Sequence, residues 1–444
     1  MIKIPNEVTE ALSLLQSSGY QAYIIGGCVR DSLLGKKPKD YDITTSAEPD
    51  ETKAVFKNYR VIETGIQHGT VTVLINGNPL EITTFRIDSE YSDNRRPDSV
   101  TFTKSLIEDT KRRDFTMNAI AADENSSIID NHGGCEDIKA RIIRCVGDPD
   151  KRFGEDALRI LRAIRFSSVL GFDIEANTKA AIFRNKELLK NISSERIASE
   201  FVKLLCGENA RQIVLEYIDV IGVFIPEALP MKGFDQHNFH HCYDVLTHTA
   251  VAIENAPPES ILRLAAFFHD IGKPSTFSMK DGIGHFYGHA PVSAKIAENV
   301  LSRLKFDNRT KDTVVKLVKL HDGQIAKTEA SVKRCLNKNS PEIFFMLLEL
   351  KRADNLAQAP EYHERVNELK ELRLIAEDIL NRKECFSLKQ LAVSGGDLMA
   401  IGYNPGKALG ACLNNMLERV MSGELKNEKS ALLQYAKETA PPLS

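Results

Sequence analysis

Cysteine is the first scarcity. The 444-residue chain carries eight cysteines, at positions 28, 135, 145, 206, 242, 335, 385 and 412, and no two form a C-x-x-C pair. Scattered thiols argue against a disulfide scaffold and a structural zinc site, and suit a reducing cytosol. Long apolar runs are also missing: no stretch approaches the roughly 18 residues a membrane helix needs. Met1 to Glu7 lacks the apolar core of a signal peptide. A cytoplasmic protein with no membrane partner is expected. Charge of one sign is not in surplus. A formal net charge of −3 excludes a uniformly basic nucleic-acid coat but leaves room for a local basic groove. There is no Rossmann G-x-G-x-x-G, and Gly272-Lys273 runs into Pro274 rather than Ser or Thr, so no P-loop is completed. Internal repeats and low-complexity segments are absent.

What is present is ordinary for a soluble globular protein: 42% hydrophobic and 27% charged residues, with length for roughly three domains. Residues 1–145 read as mixed α/β. Tyr23-Ile24-Ile25 is a short strand entering the Gly26-Gly27 turn, and Val29 to Leu34 a short helix. Gly69 to Ile75 and Leu80 to Phe85 read as a hairpin around Asn76-Gly77-Asn78. From about residue 150 helical patterns take over. Eight of the eleven histidines lie between 237 and 321, which points to a second functional unit.

Asp40-Tyr41-Asp42 carries the first chemistry. Read as a strand, it projects both carboxylates to one face. Adjacent carboxylates repel unless a divalent cation sits between them, and Mg²⁺ accepts carboxylates together with phosphate oxygens. The Gly26-Gly27 turn offers backbone N–H groups to a triphosphate, with Arg30 adding charge. These parts suit in-line phosphoryl transfer with two metal ions. D-x-D by itself is common on surface strands; its place after Gly26 to Asp31 favours catalysis. Glu81, on the hairpin, is a candidate third carboxylate.

Glu155 to Arg165 reads as a helix with Glu155, Arg159 and Arg162 on one face, Asp156 and Arg165 flanking, and Ala157, Ile160, Leu161 and Ile164 opposite. A solvated face of ion pairs is the ordinary explanation, yet every cation on it is arginine, the planar five-donor side chain. Cytosine and adenine each present an amino donor beside a ring-nitrogen acceptor; guanine and uracil present the reverse. An accepting Asp156 beside a donating Arg159 would admit C and A. It would leave G and U with opposed groups, at about 1–3 kcal/mol for each unpaired buried group.

Gly26 to Asp31, Asp40 to Asp42, Arg112 to Ala119 (R-R-D-F-T-M-N-A), Glu155 to Phe166, Ser194 to Ile197 with Glu200, Gly395 to Leu398 and Gly402 to Gly406 together resemble the class II CCA-adding enzymes. These are tRNA nucleotidyltransferases of the polymerase-β-like superfamily, and the likeness spans most of the chain. It implies an α+β fold: a nucleotidyltransferase head of mixed sheet and helices at 1–145, then an all-α neck (146–206), an HD-type body (207–356) and a tRNA-binding tail (357–444). It implies catalytic Asp40 and Asp42 holding two Mg²⁺ ions. Nucleotide contacts are implied at Gly27, Arg30, Arg113, Asp156, Arg159, Arg162 and Arg165. The expected reaction adds C, C and A to the tRNA 3′ end from CTP and ATP, with pyrophosphate released. Bacterial poly(A) polymerases and partial CC- or A-adding enzymes share these motifs and stand as alternatives. Arg86 to Asp98 looks like the flexible loop of full CCA-adding enzymes, and no G-R-R-F-R-type segment of the poly(A) polymerases is evident.

The histidine-rich stretch supplies an alternative of another class. His248, the pair His269-Asp270 and Asp354 follow the order of the HD phosphohydrolases, and this mixed N/O set suits a second divalent metal. His289 and His321 are candidate phosphate or second-metal contacts. An HD domain reduced to a structural role is the competing reading. Whether the chain is a monomer or a homodimer stays open.

Overall fold

The computed structural model describes residues 2–88 and 99–439. Two compact units are present, Met1–Leu229 and Pro230–Ser444. The sequence-based head and neck fall wholly within the first.

Among the described residues the first unit has eleven strands: β1 (Ala22–Ile25), β2 (Asp42–Thr45), β3 (Arg60–Gly65), β4 (Thr70–Ile75), β5 (Asn78–Thr84), β6 (Arg86–Asp88), β7 (Val100–Phe102), β8 (Ile120–Ala122), β9 (Ile128–Asp130), and the short parallel pair β10 (Ile142–Ile143) and β11 (Asp173–Ile174), the last of which lies in the neck expected to be all-α. Seven form one sheet in the order β3-β4-β5-β2-β1-β8-β9. Only β2 and β5 pair in parallel there, so the sheet is mixed, as expected. The β4–β5 hairpin turns at Asn76 and Gly77, both with positive φ (52° and 82°), which is the geometry an Asn-Gly turn favours. Arg86–Asp88 and Val100–Phe102 make a separate small ribbon. Residues 89–98 of the expected loop lie outside the described residues.

Helices α1 (Asn6–Ser17), α2 (Gly27–Leu33), α3 (Pro49–Val55), α4 (Leu106–Lys111) and α5 (Gly134–Ala140) complete the head. In α1, Val8, Ala11, Leu12 and Leu15 are buried, one apolar stripe at helical spacing. Then come α6 (Pro149–Glu155), α7 (Leu158–Leu170), α8 (Ala176–Asn185), α9 (Ser194–Leu205), α10 (Ala210–Glu216) and α11 (Ile218–Ile221). The expected continuous helix from Glu155 is broken. Asp156 is extended (φ −134°, ψ 102°) between α6 and α7. Its carboxylate accepts from the Leu158 N–H at the start of α7, so it caps the new helix instead of continuing the old one. Ile160, Leu161 and Ile164 are buried as predicted, and α7 packs on α9.

The second unit is helical: α12 (Val245–Asn255), α13 (Ser260–Phe268), α14 (Lys273–Thr276), α15 (His289–Arg303), α16 (Asn308–Leu320), α17 (Glu329–Asn339), α18 (Pro341–Leu356), α19 (Arg365–Asn381), α20 (Gly395–Ala400), α21 (Lys407–Ser422) and α22 (Lys429–Glu438). Helices α12, α13, α16 and α18 pack together, while Leu398, Met416, Leu417 and Leu432 centre a separate core near the C-terminus. Among the described residues no helix is long and apolar enough to cross a membrane.

Gly26 joins β1 to α2 with φ 84° and ψ −129°, a region essentially closed to residues with a side chain. A Cβ there would lie 3.1 Å from Nη1 of Arg113. Gly26→Ala is expected to cost about 1–3 kcal/mol of stability, read from urea denaturation, and to displace Arg113.

Candidate active site

Strand register assembles the acidic edge. Asp42 opens β2, opposite Ile25 on one side and Glu81 on the other. Glu81 is thus a direct cross-strand neighbour of Asp42, which puts a third carboxylate on this edge. Asp40 is not on the strand. The ladder ends because β1 stops at Ile25 and Gly26 turns away, so residues 40 and 41 have no pairing partner. Asp40 reaches Asp42 from the entering loop and not through the pleat, a correction to the expected strand. The electrostatics record the crowding. Lost hydration is the largest influence and raises the Asp42 carboxyl above the usual range; Arg113 opposes the rise, and Asp40 and Glu81 add to it. All three acids are exposed, and Asp40 and Glu81 lie near enough to Asp42 to raise its carboxyl, but their oxygens are not gathered as tightly as the ligand atoms of the second unit's histidine–aspartate groups.

Behind them lies a buried lattice of arginines and acids. Asp109, fully buried on α4, accepts from Nε and Nη2 of Arg112 at 2.9 and 2.8 Å and from the Thr44 hydroxyl of β2 at 3.2 Å. Arg113 lies 3.8 Å from Asp109 and 3.5 Å from the Asn118 carbonyl oxygen, while its buried Nε has no partner. Burial draws Arg113 below its ordinary value. Asp114 accepts from Asn118 Nδ2 at 3.1 Å and from Nε and Nη2 of Arg162 at 2.8 and 2.7 Å. Burial would raise its carboxyl, but Arg162 and Asn118 hold it down at about 2. Arg30 donates to Asn118 Oδ1 at 2.7 Å and to Asp31. Arg30, Arg162 and Arg165 also surround the Phe166 ring, at 5.0, 5.4 and 3.6 Å from its centroid.

The two base-reading candidates pair with different partners. Asp156 accepts from Nη2 of Arg196 on α9 at 2.8 Å. Arg159 donates to Glu155 at 2.8 Å and to the carbonyls of Arg152 and Arg112 at 3.3 and 2.9 Å. Arg165 is tied to buried Glu200 at 2.9 Å. Every predicted nucleotide contact from Arg30 to Arg165 therefore belongs to one linked region of the first unit. Sequence reasoning did not single out Asp114, Asn118, Phe166 or Arg196. The signal for Asp114 and Asn118 was their place in R-R-D-F-T-M-N-A; that for Arg196 was its place in S-E-R-I.

Against this geometry, comparison with known proteins is decisive. The CCA-adding enzyme of Lactobacillus helveticus is 36% identical over 442 residues, covering 98% of both chains. That of Levilactobacillus brevis is 37% identical over 435 residues, 97% of this chain and 98% of the other. The chain belongs to the CCA-adding enzyme family. It is a nucleotidyltransferase. The family model for the poly A polymerase head domain matches residues 22–144, and that for tRNA nucleotidyltransferase domain 2 matches residues 285–436. The crystal structure of the Bacillus stearothermophilus CCA-adding enzyme in complex with CTP aligns with a TM-score of 0.71 at 31% identity. It covers 97% of this chain and 96% of that one.

The second unit gathers its own predicted set. Nε2 of His248 lies 3.0 Å from Asp354 and 3.2 Å from Asp270, and Nε2 of His269 lies 3.2 Å from Asp270. Both histidines are fully buried. Burial opposes charge on His269, yet Asp270 and Asp354 push it up to about 10. His269 and Lys273 in turn hold Asp270 well below the carboxylate range against its burial. Ligand atoms of His248, His269, Asp270 and Asp354 are close enough to hold one ion.

Removing one partner of a buried ion pair costs about 3–5 kcal/mol, so Asp114→Ala should lose that much stability at pH 7. Because the folded-state value of Asp114 is lowered from 3.8 to about 2, its contribution is present above about pH 4. It fades as pH falls through 2. Urea melts at several pH values should show the gap between parent and variant narrowing in acid by about 2.5 kcal/mol.

Proposed function

We propose that this chain adds C, C and A to the 3′ end of tRNA from CTP and ATP without a nucleic-acid template. The observation that carries the reading is the continuity of the site. The Asp40/Asp42/Glu81 edge faces Arg113, Arg113 adjoins Asp114, and Asp114 grips Arg162 beside Asp156 and Arg159. An α-phosphate at the acids therefore has a base reader within the same unit. The Thermotoga maritima CCA-adding enzyme, alike in fold at TM-score 0.60 and 20% identity, is complexed with tRNA.

In the reaction the 3′-hydroxyl oxygen bonds to the α-phosphorus as the bond to pyrophosphate breaks. Asp40 and Asp42, with Glu81 beside them, would hold Mg²⁺. Bound there, it lowers the barrier to hydroxyl attack and neutralises the departing pyrophosphate. Gly27 and Arg30 contact the triphosphate, and Arg113, Arg162 and Arg165 hold phosphates or ribose. Asp156 accepts the amino group of C or A while Arg159 donates to the neighbouring ring nitrogen. An incoming base would replace protein partners in doing so: Arg196 at Asp156, and Glu155 at Arg159. All eight cysteines are free thiols, which supports the cytoplasm as the site of action.

The second unit supports a further activity, metal-dependent phosphoester hydrolysis, on the closeness of His248, His269, Asp270 and Asp354. It would use a divalent cation other than the head's.

Incubating tRNA that lacks its 3′ end with labelled CTP, ATP or both should give a product extended by C-C-A only with both; long A tails from ATP would identify a poly(A) polymerase. Asp40→Ala and Asp42→Ala should each cut transfer about 10³-fold, about 4 kcal/mol of barrier, while tRNA still binds in gel shift. Asp156→Ala should erode preference for C and A over G and U by tenfold or more, corresponding to about 1–3 kcal/mol. Unchanged selectivity would overturn the base-reading role.

A further inference from the structure

Three arginines of the first unit share one neutral partner. The centroid of the Phe166 ring on α7 lies 5.0 Å from the guanidinium carbon of Arg30, 5.4 Å from that of Arg162 and 3.6 Å from that of Arg165. The ring is itself fixed: Phe166 is 4% exposed and meets fully buried Phe115 edge to face at 5.9 Å. Arg30 arrives from α2 and the other two from α7. Like charges gathered in this way repel, the more so where water is excluded. The side chains of Arg30, Arg162 and Arg165 are only 10, 33 and 14% exposed.

Each arginine also has an acid of its own. Asp31 accepts from Nε and Nη2 of Arg30 at 2.8 and 2.7 Å. Asp114 accepts from Nε and Nη2 of Arg162, and Glu200 from Nε of Arg165. An acid fixes a guanidinium by consuming N–H donors, of which arginine has five, and a phosphate needs those same donors. An aromatic face instead holds the flat side of the group, by attraction between the cation and the ring quadrupole, and consumes none. A further acid in the place of the ring would cancel positive charge to which a triphosphate is drawn; a neutral ring leaves that charge intact.

We propose that Phe166 is a positioning residue for nucleotide binding. Its ring holds the faces of Arg30, Arg162 and Arg165 so that their N–H edges meet the phosphates and ribose of the incoming nucleotide. The inference rests on reading those three arginines as nucleotide contacts and adds the uncharged group that orders them. Because the ring faces the arginines and not Asp156 or Arg159, it serves CTP and ATP alike and takes no part in choosing the base.

The test places phenylalanines with one, two and three ring fluorines at position 166 of the full chain by nonsense suppression. Fluorine drains the negative face of the ring with little change in its size, so packing on Phe115 is kept while cation attraction falls. KM is measured for CTP on tRNA lacking its 3′ end and for ATP on tRNA ending in C-C. Both values should climb stepwise with fluorine number, reaching about tenfold, which corresponds to about 1.4 kcal/mol, while kcat and the preference for C and A over G and U hold. Phe166→Leu should raise both KM values at least as far; should it fail to fold, the fluorine series decides. A flat series overturns the positioning role, since packing alone is blind to the ring's charge distribution. A rise for one nucleotide only overturns it too. Arg162→Ala and Arg165→Ala separate the two layers of the reading. If they raise KM while the fluorine series is flat, only the role of Phe166 falls. If they leave KM unchanged, the reading of the arginines as nucleotide contacts falls, and the role of Phe166 with it.

Discussion

The pairing of Asp114 with Arg162 is the constraint on which the first unit's site depends. A carboxylate held at about 2 while buried stays charged at any physiological pH, so the guanidinium it grips is fixed in place. Through Asn118 the same acid holds Arg30, which lies against the Phe166 ring of α7. The segment Arg112 to Asn118 thus ties the acidic edge of the sheet to the arginine-bearing helix. Asp109 does the same one layer deeper, joining Arg112 to Thr44 of β2. Buried charges are costly to desolvate, and what they supply here is position: guanidinium groups held by buried acids do not drift with solvent.

Partner exchange is the second theme. Asp156 and Arg159 are both hydrogen-bonded within the protein, to Arg196 and to Glu155. In the proposed reading, a base that matches their pattern would replace those bonds one for one, and a base with the reversed pattern would leave them broken. Selectivity then arises as a difference between two sets of bonds, which is how a site that hydrogen-bonds its substrate rejects an analogue. The break between α6 and α7 serves this end, because an extended Asp156 turns its carboxylate toward α9 and away from a helical face.

The second unit solves a related problem with imidazoles. Four backbone carbonyls accept from Nδ1 of four imidazoles, and the Asp270 carboxylate lies 3.2–3.6 Å from their Nε2 atoms. In the proposed reading the head's acids and the second unit's histidines would hold different ions, since hard oxygen donors suit Mg²⁺ and nitrogen-rich donors suit transition metals.

Local pattern made much of this legible. The Asn-Gly hairpin, the apolar stripe of α1, the mixed-sheet head and the set of His248, His269, Asp270 and Asp354 follow from residues near in sequence or from motif order. Asp40 lies near Asp42, but not through strand alternation as expected, since strand limits depend on where the neighbouring strand ends. Glu81 beside Asp42 is a matter of parallel register, which pairs residues far apart in sequence. Helical periodicity put Asp156 on one continuous helix, flanking the face of Arg159, because it takes no account of a side chain that caps a new helix. Arg196 became the partner of Asp156, and Asp114 that of Arg162, only through packing of α9 and the 112–118 segment beside α7. Sequence by itself determined which chemical groups the protein owns and which short elements carry them, because propensity and motif spacing act over a few residues. Tertiary structure decided which groups meet, because buried charges find partners only where distant segments close around them.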